Sequence, residues 1–173
     1  NLDYTDILNP QIKKDLVSKI KSNNIGEYLT LEILESEKVS SFDTVNEFIN
    51  DVKQFGVKIA IDDFGTGFSN YENILNLNID YIKIDGSLIR KINEDIYLNL
   101  IKSIVLFSKQ QNIKVVAEFV SDLKILRYVK NIEIDYSQGY YIGKPTHIQE
   151  LFGEEDETTT KKDNWFNNKW YFK

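Results

Sequence analysis

Residues 57–70 read VKIAIDDFGTGFSN, an apolar run that ends on two adjacent carboxylates and a glycine pair. Val57, Ile59 and Ile61 are β-branched, and with Ala60 they leave Lys58 as the only polar residue before Asp62. A strand apolar on both sides belongs in a sheet covered on both faces, which is the habit of parallel sheets. Taken alone, a pair of aspartates after a strand is a turn or a helix cap. The rest of the chain changes that reading.

Four further runs share the pattern: YLTLEIL (28–34), YIKID (81–85), IKVVAE (113–118) and the weaker IEIDYSQ (132–138). Between them lie segments of helical period. SSFDTVNEFINDVKQFG places Phe42, Val45, Phe48, Ile49, Val52 and Phe55 on one face and stops at Gly56, and NEDIYLNLIKSIVLFSKQQ repeats the pattern around Ile96, Leu100, Ile101 and Ile104. Alternating strands and helices predict an α/β fold with a parallel sheet, since parallel neighbours need a crossover and a helix is the usual one. Such a sheet closes into a barrel or stays open and doubly wound. In the first case all strand ends open on one face, and in the second they line one crevice. The strand ends carry Glu32, Asp62 with Asp63, Lys83 with Asp85, Glu118 and Gln138, so either way these polar groups converge. No internal repeat is visible.

Composition narrows the chemistry. The 173 residues contain no cysteine and one histidine, His147, and carry a net charge of −6. Disulfides, thiolate metal sites, a cysteine nucleophile and a serine–histidine pair are thereby removed, leaving carboxylates. No basic stripe marks a polymeric nucleic acid as partner, and a small anionic ligand would need cations as intermediaries. Hard divalent cations such as Mg²⁺ take oxygen ligands and bridge to phosphates. Two of them roughly 3.5 to 4 Å apart activate a water and stabilise a leaving oxygen. Asp62 and Asp63 suit such a pair, one bridging and one facing the second ion. Lys83 is expensive inside a barrel mouth unless carboxylates surround it; the bland alternative is a surface lysine. Glu32 read alone is an outward polar residue, Glu118 a helix cap, and His147 part of a capping box after Pro145. The loop GTGFSN matches neither phosphate-binding fingerprint.

No apolar run approaches the roughly 20 residues of a membrane span and the first residues, NLDYTDILNP, lack the basic and apolar blocks of a signal peptide, so a cytoplasmic setting is expected, with membrane tethering elsewhere in the protein left open. The sequence has no methionine, which predicts a chain shortened at its N-terminus. Residues 153–173, GEEDETTTKKDNWFNNKWYFK, form an acidic and then aromatic tail.

In order and spacing, NLD (1–3), LEILES (31–36), AIDDFGTGFSN (60–70), YIKIDGSLI (81–89), VVAEFVS (115–121) and SQGYYIGKP (137–145) resemble the EAL-domain family of cyclic-di-GMP phosphodiesterases. The resemblance covers residues 1–152 and implies a modified (β/α)₈ TIM barrel, incomplete here because its first strand and most of its second are missing. It implies metal-dependent hydrolysis of cyclic di-GMP to linear pGpG, with two Mg²⁺ or Mn²⁺ ions. It further implies metal ligands Asn1, Glu32, Asp62 and Asp63, catalytic roles for Lys83, Glu118 and Gln138, and a loop anchor at Glu35. A homodimer through the barrel and a regulatory domain upstream are expected of the whole protein.

Three departures stand beside the match. The Glu-Ala-Leu tripeptide that names the family does not occur in the 173 residues, Leu34 replaces a threonine, and Ser121 replaces a glutamate. They keep a second reading open, a degenerate domain that binds cyclic di-GMP or a protein without cleaving it, and lead to the expectation that these residues alone do not turn it over. A third reading makes Lys83 the Schiff-base amine of an aldolase.

Overall fold

The computed structural model describes residues 1–34, 42–66 and 71–146. Glu35, His147 and the tail at 153–173, each given a reading above, lie outside the described residues.

Strong local signals open the chain. Helix α1 (Tyr4–Leu8) starts in a reciprocal capping box between Asp3 and Asp6, and α2 (Pro10–Asn23) starts with the Asn9 side chain accepting from the Gln11 and Ile12 amides. These caps satisfy amides that have no partner within the helix. A 3₁₀ turn at Gly26–Tyr28 leads into β1 (Thr30–Leu34). Then come α3 (Phe42–Lys53), β2 (Lys58–Phe64), α4 (Tyr71–Leu75), β3 (Tyr81–Ile84), α5 (Gly86–Ile89), α6 (Asp95–Gln110), β4 (Lys114–Ala117), α7 (Leu123–Asn131) and β5 (Tyr136–Ser137). The fifth strand is shorter than IEIDYSQ suggests, because Ile132–Ile134 form the hydrogen-bonded turn that ends α7 and only Tyr136 and Ser137 pair with β4.

Every strand pairs in parallel with the next one in sequence, giving the order β1-β2-β3-β4-β5. A doubly wound sheet reverses its order at a switch point. The unbroken order is that of a barrel wall. Leu2 runs beside β1 in a parallel bridge to Ile33, with its amide donating to the Glu32 carbonyl at 2.8 Å.

Successive side chains on each strand alternate between two environments. Ile59, Ile61, Ile82, Ile84, Val115 and Ala117 are buried in one core with Val45, Phe48, Ile49 and Val52 of α3 and Ile101, Ile104 and Val105 of α6. Glu32, Asp62, Lys83 and Glu118 belong to the opposite set and meet inside the wall. The apolar set explains why the strands read as nearly continuous hydrophobic runs. Among the described residues no helix is long and apolar enough to cross a membrane.

One fastening recurs where the sequence shows no repeat. Asp80, just before β3, accepts the Ile59 amide at 2.9 Å and binds Lys58 and Lys53. Asp135, just before β5, accepts the Val115 amide at 3.0 Å and binds Lys114. In both pairs an aspartate before the later strand holds the first turn of the earlier one, which fixes register far from the strand ends that carry the polar groups.

Burial raises the pKa of Asp80, but Lys53, the Ile59 amide and Lys58 outweigh it and hold the carboxyl below its ordinary value. Its stabilising contribution is therefore complete above the unfolded-state pKa near ~4 and fades as pH falls through the lower folded value. Asp80→Ala is expected to destabilise the protein by about 2 kcal/mol at neutral pH, because it strands the Ile59 amide and removes the carboxylate that Lys53 and Lys58 share. Urea titrations should show wild type and variant converging as pH is lowered towards about 2.5.

Candidate active site

The site begins with an irregularity. Along β2, Ile61 pairs with Ile82 and Phe64 with Ile84, so three steps on β2 match two on β3. One extra residue is accommodated as a bulge between Ile61 and Phe64. In a regular strand Asp62 and Asp63 would point to opposite faces. Here Asp63 adopts a left-handed conformation, φ +56°, which aspartate tolerates better than most residues. The two neighbouring carboxylates consequently reach one cluster, a device that bulges provide beside functional sites.

At the centre of that cluster is Lys83. Its Nζ lies 2.8 Å from Asp62 Oδ1, 2.8 Å from Glu32 Oε1 and 2.9 Å from Glu118 Oε1, so one ammonium group ties β1, β2, β3 and the end of β4 together. Asp62, Lys83 and Glu118 are only 6%, 5% and 9% exposed. Burial by itself would pull the lysine pKa down; hydrogen bonds to Asp62, Glu32 and Glu118 reverse this and leave it above the usual lysine value. Lys83 therefore stays protonated, which removes the Schiff-base reading, since that chemistry needs a neutral amine. Glu32 is likewise not an outward polar residue.

Glu118, Asp63 and Asp85 are each tuned by their place. Burial lifts Glu118 above its ordinary value against the pull of Lys83, with the Asp62 and Asp63 charges adding to the lift. Desolvation also raises Asp63, helped by Asp62 and Asp85. Carboxylate oxygens of Asp62, Asp63 and Glu118 lie within 4.8 Å of one another, a spacing and donor set that fit a hard divalent cation. Asp85 does something different. It accepts the Ser87 amide at 2.8 Å as the N-cap of α5, and despite burial that bonding keeps its carboxyl low.

Beside the acids is a cavity of about 380 Å³ whose lining includes Glu118, Phe119, Ser121, Gln138, Tyr140 and Pro145. Gln138 is held there by its backbone, its amide donating to Ala117 at 2.8 Å and its carbonyl accepting from Val120 at 3.0 Å. Asn1 is exposed next to Leu2 at the edge of β1. The structure thus brings together Glu32, Asp62, Asp63, Lys83 and Glu118, puts Gln138 on the adjoining wall and leaves Asn1 at the rim. Phe119 and Tyr140 are site residues that the sequence reading did not single out. Each follows a strand-end polar group within two residues, which was the available signal.

The EAL domain family model matches residues 1–145. The chain is 42% identical over 130 residues to cyclic di-GMP phosphodiesterase PdeA of Borreliella burgdorferi, an alignment covering 75% of this chain and 19% of that protein. It is 36% identical over 156 residues to cyclic di-GMP phosphodiesterase PdeF of Escherichia coli, covering 89% of this chain and 21% of that protein. The solved complex of the PaMucR phosphodiesterase with c-di-GMP superimposes with a TM-score of 0.79 at 25% identity, covering 87% of this chain and 62% of that one. The chain belongs to the EAL-domain family, and its five strands are a stretch of that family's TIM-like barrel. It spans about a fifth of the length of the curated relatives named here.

Removing the central cation should leave three carboxylates facing each other. Lys83→Met is expected to destabilise the protein by about 3 kcal/mol at neutral pH, the usual consequence of breaking a buried ionic cluster by deleting one partner. Added Mg²⁺ should raise the variant's melting temperature more than that of wild type, as read by differential scanning calorimetry with and without the ion.

Proposed function

We propose that this domain hydrolyses one phosphodiester of cyclic di-GMP to linear pGpG, using Mg²⁺ or Mn²⁺ at the cluster around Lys83. The observation that carries this reading is the double position of Glu118, which is at once a member of the acid cluster and part of the cavity wall. A nucleotide with a base in the cavity has its phosphodiester beside the carboxylates. The activity named for the Borreliella burgdorferi and Escherichia coli relatives, and the c-di-GMP in the PaMucR complex, support the same substrate.

Asp62, Asp63 and Glu32, with the exposed Asn1, are the residues that would hold the ions. When bound, such ions neutralise the phosphate charge and acidify a water. Lys83 keeps its charge, holds three carboxylates in register with its three N–H donors and adds a fixed positive charge beside an anionic phosphate. Glu118, its carboxyl lifted by burial, is suited to take the proton of the attacking water. The water oxygen forms the new bond to phosphorus, the bond to the 3′ oxygen breaks, and that oxygen takes a proton from solvent to leave as a hydroxyl. Gln138 orients the phosphate from the adjoining wall.

Binding without turnover is a second reading, favoured by Ser121. It lines the cavity in place of a glutamate and spends its hydroxyl on Asp122 at 3.1 Å. The working unit in our reading is residues 1–152, paired through the barrel with a second copy in a cytoplasmic protein that carries a regulatory domain upstream.

Two experiments bear on this. In a protein that includes the Glu-Ala-Leu segment, Asp62→Asn should abolish Mn²⁺-dependent pGpG formation, because a neutral amide lacks the charge with which Asp62 would hold a hard cation. Asp85→Asn should keep measurable turnover, since an asparagine still caps α5. Equal rates for wild type and Asp62→Asn, followed by chromatography, would sink the assignment. The 173 residues alone, incubated with cyclic di-GMP and Mn²⁺, should yield no pGpG.

A further inference from the structure

Phe64 faces the opposite way from Asp62. On a regular strand residues 62 and 64 share a face, so the ring would enter the barrel beside the carboxylate. Instead Phe64 is fully buried and meets Tyr71 edge to face, with centroids 5.8 Å apart, and Tyr71 meets Phe107 of α6 in the same way at 4.7 Å. Phe64 also pairs with Ile84, as Ile61 pairs with Ile82, and those isoleucines belong to the face packed against the helices. The bulge is what reverses the ring. One extra residue between Ile61 and Phe64 puts the phenyl group on the helix side, and the same extra residue turns Asp63 towards Asp62 and Glu118.

The two outcomes are linked. If β2 relaxed by one residue into a regular strand, Asp63 would leave the cluster and Phe64 would be driven in among the acids. Burying Phe64 between the sheet and α6 therefore opposes the relaxation that the left-handed Asp63, φ +56°, would otherwise favour. Tyr71 forms the near wall of the slot that receives the ring. It opens α4, a helix of five residues and too short to hold itself. Packing holds it instead: Ile74 is buried, the Asn46 side-chain amide of α3 donates to the Asn76 carbonyl, Lys53 donates to the Asn78 carbonyl at 3.2 Å, and Phe107 backs the Tyr71 ring.

We propose that Tyr71 is a positioning residue for the metal cluster: stacked between Phe64 and Phe107, it keeps the Phe64 ring on the helix side of β2 and so keeps Asp63 turned to the site. It acts through Phe64, and α6 acts through Tyr71. Edge-to-face pairs suit this role because they fix the angle of a ring as well as bury it. The inference rests on the reading of Asp63 as an ion ligand and adds the contacts that set its geometry.

The test uses the protein with its Glu-Ala-Leu segment in place and reads Mn²⁺ binding by calorimetry, without substrate. Tyr71→Ala should raise the Kd for Mn²⁺ by about tenfold, the upper end of what one aromatic pair is worth. Tyr71→Phe, which keeps the ring, should bind Mn²⁺ as wild type does, and Phe107→Leu should bind it severalfold more weakly. In an Asp63→Asn background Tyr71→Ala should change the Kd by less than about twofold, because the group it positions is already gone. Ile101→Val, a cavity in the core on the α6 side, should lower the melting temperature and leave Mn²⁺ affinity unaltered, which separates positioning from stability. Tyr71→Ala with wild-type Mn²⁺ affinity overturns the proposal; if that variant does not fold, Phe107→Leu with wild-type affinity does so. Equal weakening by Tyr71→Ala with and without Asp63 overturns it as well. Asp63→Asn protein that binds Mn²⁺ like wild type overturns instead the reading of Asp63 as a ligand, and wild-type protein that binds no Mn²⁺ overturns the functional reading and this inference with it.

Discussion

One ammonium group organises the mouth of this barrel. Lys83 Nζ reaches Glu32, Asp62 and Glu118 at hydrogen-bond distance, and those carboxylates come from three other places in the wall. Without a cation at that point, carboxylates crowded in a poorly solvated pocket would repel each other, take up protons or move apart. With it, each of the three has a counter-charge at hydrogen-bond distance. The same contacts that stabilise the cluster therefore prepare it for a second kind of cation. A hard divalent ion meets donors already gathered in place, and Lys83 remains as a fixed positive group for an anionic ligand.

The bulge in β2 is the complement of that arrangement. Alternation along a strand would give the site only one of two adjacent aspartates. The extra residue between Ile61 and Phe64, with Asp63 in the left-handed region, brings both to the same side. The local disruption of the ladder is bounded by a well-paired sheet: Asp80 fastens the start of β2 to the start of β3, and Phe64 resumes pairing with Ile84. Irregular backbone at the chemical end is supported by regular backbone at the other. Phe119, φ +53°, repeats the pattern at the end of β4, where a strained residue lies between two amides bonded to neighbouring strands.

This division also separates the residues that hold the fold from those that meet a ligand. Asp85 and Asp62 are both acids at strand ends, yet Asp85 is engaged as the cap of α5 and Asp62 is buried against Lys83. Asp80 and Asp135 are tied to backbone amides on the far side of the sheet from the cavity. Residue type alone does not distinguish these four aspartates. Their partners do.

The sequence by itself determined four strands, two of the long helices and the alternation of strand with helix, because apolar residues at periods of two and 3.6 can be buried in few other ways. It determined as well that the polar strand ends share one side, since parallel strands all point the same way. Glu32, Asp62, Asp63, Lys83, Glu118 and Gln138 were legible on that ground, and the ordered motifs around them were specific enough to mark the family. Only the tertiary structure decided that the sheet follows barrel order, that Lys83 is paired three times over, and that a bulge turns Asp63 inward. It alone stacked Tyr71 between Phe64 and Phe107. The physical reason is range. Periodicity is written in neighbours along the chain, whereas charge pairing, ring stacking and a one-residue slip in register depend on strands that are distant in sequence and adjacent in space.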